Sequence, residues 1–86
     1  MYEVRLSSSA EQVYVKLDRK MQERIDRVFE QMEQGIFRHN NICALHGPYT
    51  GSLRYRLGPW RIIFQVDSTH RKVWIEAITT RGGAYR

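Results

Sequence analysis

Residues 51–66 read GSLRYRLGPWRIIFQV, and the order of side chains in this stretch decides the fold. Gly58-Pro59 separates two runs of alternating residues. A glycine that accepts positive φ followed by a proline held at negative φ suits the central positions of a type II′ turn. With those two residues as the turn, Leu57 lies opposite Trp60, Tyr55 opposite Ile62 and Leu53 opposite Phe64, which makes one apolar face. The other face pairs Arg56 directly with Arg61, sets Arg54 diagonally beside them near Ile63, and puts Ser52 opposite Gln65.

Like charges directly opposite on a sheet repel and cost stability, so folding alone does not call for the Arg56–Arg61 pair. The bland alternative is a set of solvated arginines balanced by Glu76 or Asp67. Three arginines on one face within eight residues, with Arg81 at the end of the last strand, favour an anionic ligand instead. Arginine suits phosphate, because its planar fork makes two charge-assisted bonds to one group and keeps its proton at any relevant pH.

Outward from the hairpin, KVWIEAIT (residues 72–79) follows a polar turn and reads as a further strand. The ending ITTRGGAYR lets Gly82-Gly83 swing Tyr85 back towards the sheet, where a phenol can stack on a base or exchange a proton with a ribose hydroxyl. Towards the N-terminus, Tyr2, Val4 and Leu6 alternate with Glu3 and Arg5, a first strand over 2–6. Ser8 and Glu11 fit a capping box for a short helix whose apolar residues are Ala10, Val13, Tyr14 and Leu17. Asp18 caps a second helix with Met21, Ile25, Val28, Phe29 and Met32 on its inner face and Arg19, Glu23, Arg24, Arg27, Glu30 and Glu33 outside. Gly35 ends it as a left-handed cap. From Phe37 to Gly51 the periodicity fails and a surface loop is expected, with a short apolar element around Ile42 to Leu45 beneath it. The order β-α-α-β-β-β gives an α+β fold, two helices on one face of a small, mainly antiparallel four-stranded sheet.

The 86 residues support a single domain spanning 1–86. A net charge of +5, from 14 Lys and Arg against 9 Asp and Glu, makes nucleic acid or an acidic protein the default partner. Cys43 is the single cysteine and cannot form an internal disulfide, and no long apolar run suggests a membrane span or leader, so a reducing cytoplasm is the expected home. Cys43 is expected as a small buried hydrophobe. His39, His46, His70 and Cys43 lack paired ligand spacing, so neither metal nor cofactor is expected.

Taken in order, the first strand ending in serine, the helical segment LDRKMQERI, the segment GSLRYRLGPWRIIFQVD and the closing R-x-x-x-Y-R resemble the RelE/ParE superfamily of toxin–antitoxin systems, more closely its RelE branch. The resemblance covers nearly the whole chain. It implies a toxin that enters the ribosomal A site and cuts messenger RNA by metal-free attack of a ribose 2′-hydroxyl on the adjacent phosphate. Carried over by position, it implies a basic pair at Arg54 and Arg56, a phosphate-binding arginine at Arg61, a further arginine at Arg81 and the tyrosine at Tyr85. It also implies a cognate antitoxin. Two departures stand out: several relatives have lysines where this chain has Arg54 and Arg56, and others carry a Glu or His that GGAY does not supply beside Tyr85. His46 in the loop is a candidate substitute. The rival readings are a ParE-like gyrase inhibitor and a non-catalytic RNA-binding module using Trp60, Trp74 and Tyr49 as stacking platforms.

Overall fold

The computed structural model describes residues 1–45 and 51–80. In chain order these form β1 (Glu3–Leu6), α1 (Ser8–Lys16), α2 (Arg19–Glu33), β2 (Ile42–Ala44), β3 (Leu53–Leu57), β4 (Trp60–Asp67) and β5 (Lys72–Thr80). They make one mixed sheet in the order β1-β5-β4-β3-β2. β1 runs parallel to β5 and the other neighbours are antiparallel. A parallel neighbour needs a crossover, and the intervening chain that contains the two helices supplies it.

The sheet has five strands, one more than the sequence pattern suggests. Ile42–Ala44 is not an apolar plug under a loop but an edge strand on β3, with Ile42 opposite Tyr55 and Cys43 opposite Arg54. Three residues are too few for alternation to stand out in the sequence, and their pairing is fixed by partners elsewhere. Arg56 N donates to Asn41 O at 2.9 Å and Leu45 N to Ser52 O at 3.0 Å. The same geometry overturns the expectation for Cys43. Ile42 packs against the core, so the next side chain points the other way, and Cys43 is exposed.

Each helix starts where a side chain can cap it. Asp18 accepts a hydrogen bond from Met21 N at 2.8 Å, as its position suggests. The first helix begins one residue earlier than the Ser8–Glu11 pair implies. Ser7 is its cap, with Oγ accepting from Ala10 N at 3.0 Å and donating to the Glu76 carbonyl at 2.7 Å. Ser7 N also donates to Ile75 O at 2.9 Å, so the end of β1 is tied to β5 and the helix must turn off there. At the other end of α2, Gly35 takes φ +77°. Its N–H donates to Met32 O and that of Ile36 to Gln31 O, each at 3.0 Å, a Schellman ending in which glycine avoids the left-handed penalty.

The core lies between the helices and one face of the sheet. Ile25, Val28 and Met32 of α2 and Ala10 of α1 pack with Tyr55, Ile62, Phe64, Val73, Ile75 and Ile78. Trp60 sits partly buried against this cluster, a packing role and not a stacking platform. No helix among the described residues is long and apolar enough to cross a membrane.

Candidate nucleic-acid interface

Gly58 takes φ +60° at the hairpin turn, and the register is the one its position dictates: Leu57 faces Trp60, Tyr55 faces Ile62 and Leu53 faces Phe64. Arg56 therefore stands directly opposite Arg61, and Arg54 opposite Ile63. Ile62 and Phe64 belong to the helix-side core, so by alternation Arg61, Ile63 and Gln65 present the opposite face, together with Arg54 and Arg56. The described helices pack on the other face.

Arg56 is exposed, whereas Arg54 and Arg61 are half-buried. Half-burial raises the cost of charge, and one polar atom shows it: Arg54 Nε is covered and has no hydrogen-bond partner. A covered, unsatisfied donor costs about 1–3 kcal/mol. Among the described residues, the nearby carboxylates Asp67 and Glu76 hold other bonds. Asp67 accepts from His70 N at 3.1 Å and pairs with His70 Nδ1 at 2.8 Å. Those two bonds, the backbone one foremost, hold its carboxyl below the ordinary value of 3.8. Glu76 Oε1 accepts from Ser52 Oγ at 2.5 Å. Among the described residues the ion pairs are Arg5–Glu3, Arg19–Glu23 and His70–Asp67, and none includes Arg54 or Arg56.

Of the three polar residues next to the arginines, Ser52, Gln65 and Glu76, the last escapes a reading of alternation alone. Glu76 is an extra residue in β5, lying between the pairs Ile63–Ala77 and Phe64–Ile75. β3 and β5 flank β4, so the Glu76–Ser52 hydrogen bond passes over β4. Gln65 Nε2 joins it, donating to Ser52 Oγ at 3.4 Å. Ser52 is 3% exposed, a buried polar residue satisfied by this network. Ile63, on the same face and opposite Arg54, is fully buried although it lies outside the helix-side cluster. The sequence signal was the Ser52–Gln65 pairing; the bulge that brings Glu76 to it has no local signature.

The structure thus brings Arg54, Arg56 and Arg61 together on one face. Arg81, Tyr85, His46 and Tyr49 lie outside the described residues. Chemically, the described part can bind a polyanion through guanidinium forks, and half-burial of two arginines strengthens each such bond by lowering the local dielectric.

No protein-family model and no curated protein sequence matches the chain. Solved structures do. The RelE–RelB complex of the archaeon Pyrococcus horikoshii OT3 contains a chain that superposes with a TM-score of 0.81 at 22% identity, covering 94% of this chain and 96% of that one. The YoeB/ParE toxin of Agrobacterium tumefaciens gives 0.79 at 16% identity, over 91% of this chain and 96% of that one. The toxin–antitoxin complex RelBE2 of Mycobacterium tuberculosis gives 0.75 at 21% identity, over 93% and 98%. Over nearly its whole length, therefore, the chain has the fold of the RelE and YoeB toxins.

Proposed function

We propose that the chain is the toxin of a toxin–antitoxin pair, an endoribonuclease of the RelE type that cuts messenger RNA in the ribosomal A site. The observation that carries this reading is the grouping of Arg54, Arg56 and Arg61 on one sheet face, where among the described residues no ion pair includes Arg54 or Arg56. A backbone phosphate fits guanidinium forks grouped in this way.

In the proposed reaction the ribose 2′-oxygen attacks the adjacent phosphorus and loses its proton to a base. The P–O5′ bond breaks, leaving a 2′,3′-cyclic phosphate and a 5′-oxygen that takes up a proton. No metal enters. Arg61 and Arg81 grip the phosphate and offset the extra negative charge of the phosphorane. Arg54 and Arg56 order the strand and lower the pKa of the attacking hydroxyl. Tyr85 stacks on the nucleotide or accepts the proton; arginine is a poor base because it scarcely deprotonates. A cognate antitoxin with an acidic segment would cover the same charge; the RelBE2 structure is a toxin–antitoxin complex and the archaeal one a RelE–RelB complex.

Primer extension on messenger from cells expressing the chain tests the reading. Cuts within translated codons are expected, with Arg61→Ala slowing cleavage roughly 10²- to 10³-fold, the usual effect of removing one preorganised transition-state donor. DNA breaks would indicate a gyrase poison instead. Translational arrest with intact messenger would indicate a non-catalytic RNA binder.

A further inference from the structure

The outer face continues beyond its arginines. Gln65 pairs with Trp74 on β5, and Trp74 pairs with Arg5 on β1, so a second row of side chains crosses the same face. Trp74 reaches it because of the bulge. Ile78 is buried in the core, and strict alternation from it would turn residue 74 inward as well. The extra residue Glu76 resets the pattern, so that Ile75 and Val73 are buried and Trp74 faces out, 46% exposed. A bulge that re-aims one side chain on a sheet is a recurrent feature beside binding sites.

Around Trp74 lies an open cleft of about 300 Å³ lined also by Gln65, Arg5, Lys72 and Asp67. Its groups divide by chemistry. Trp74 offers a flat aromatic platform. Gln65 spends one amide N–H on Ser52, which is itself fixed by Glu76, so the amide is tethered with its other N–H and its carbonyl available. Lys72 supplies positive charge on the rim; Arg5, also there, is paired with Glu3, and Asp67 with His70. An aromatic face, an amide that both donates and accepts, and a lysine match a nucleobase and its flanking phosphate.

We infer that this cleft is a base-binding subsite for single-stranded RNA. One nucleotide of the strand whose phosphate lies on Arg56 and Arg61 stacks on Trp74, with Gln65 at the base edge. Gln65 follows Arg61 by four residues on β4, so the two sites are about 13 Å apart, a span that one flexible strand can bridge. The inference rests on the proposed RNA-cleaving function in requiring RNA on the arginines, but it adds a second contact remote from the chemistry.

The test uses 2′-O-methyl oligoribonucleotides of two, four and six residues, which cannot be cut by 2′-hydroxyl attack. Trp60→Phe leaves Trp74 as the sole tryptophan. The longer oligonucleotides are expected to quench its emission and the dinucleotide, held at the arginines, is not. In the otherwise native chain, Trp74→Ala is expected to weaken a labelled hexanucleotide roughly 5- to 150-fold by anisotropy, the usual range for losing one base–aromatic stack. It should leave the dinucleotide unchanged, and Trp74→Phe should recover most of the loss. Full hexanucleotide affinity in Trp74→Ala overturns the subsite, and should Trp60→Phe fail to fold, this arm decides alone. Affinity lost in Arg61→Ala but kept in Trp74→Ala leaves the RNA reading standing and removes the subsite. Quenching of Trp74 by RNA, with no messenger cleavage in cells, keeps the subsite and removes the nuclease. Quenching by an acidic peptide but not by RNA overturns the subsite in favour of a protein contact.

Discussion

The two faces of the β3–β4 hairpin come from alternate residues of one short stretch, yet they are built to opposite ends. On the inner face Tyr55, Ile62 and Phe64 are each 5% exposed or less and pack against the helices. On the outer face Arg56 meets Arg61, and Arg54 carries a covered donor with nothing to bind. One side of the hairpin supplies cohesion. The other groups three cations and leaves a covered donor unmet, a cost that a ligand would offset. The packed core and the proposed RNA contact thus lie on opposite sides of a single sheet, and mutations can probe them independently.

The largest effect is expected from the inner face. Phe64→Ala should cost about 3–5 kcal/mol in denaturant unfolding, because it removes a fully buried ring from a packed core. That is a large part of the stability of so small a domain, and loss of under 1 kcal/mol would mean that the hairpin is not held from this side. Next comes the turn that sets both faces at once. Gly58→Ala puts a side chain at φ +60° and should cost roughly 1–2 kcal/mol, read as a lowered thermal midpoint. The outer face should respond with the opposite sign. Arg56→Gln removes the repulsion and should raise stability by a few tenths of a kcal/mol, more at low salt than at high. A clear destabilisation would show that Arg56 holds the fold together.

The smallest effect lies at the far end of β4, where the His70 bonds lower the Asp67 pKa. A depressed carboxyl pKa gives stability that is present above the unfolded value and is lost as pH falls through the folded one. Asp67→Asn should therefore flatten the acid limb of the thermal midpoint below about pH 4, where an unperturbed Asp titrates, and change little at neutral pH. An unaltered acid limb would remove Asp67–His70 as its source.

How much of this was legible in the sequence follows from which forces act locally. The hairpin register was, because Gly58-Pro59 and period-two alternation fix every pair from Leu57–Trp60 to Leu53–Phe64. The Asp18 cap and the Gly35 ending were, because each depends on a few neighbouring residues. The Ser7 cap was not, because its choice over Ser8 is made by hydrogen bonds to β5, far along the chain. The edge strand Ile42–Ala44 and the exposure of Cys43 were likewise decided by pairing with β3. The grouping of Arg54, Arg56 and Arg61 on one face could be read because alternation about the turn places them there. The outward turn of Trp74 could not, because it depends on a bulge that only the β4–β5 register reveals.

The central claim is that Arg56 and Arg61 hold RNA phosphates. Its most direct test is the salt dependence of binding to a single-stranded, uncleavable RNA. Each phosphate contact on a single strand contributes about 0.7 to the slope of log affinity against log salt. Arg56→Gln and Arg61→Gln should each flatten that slope by about 0.7, with the inner face and the fold unchanged by circular dichroism. Slopes identical to that of the unmodified chain would contradict the account and move the RNA to another surface.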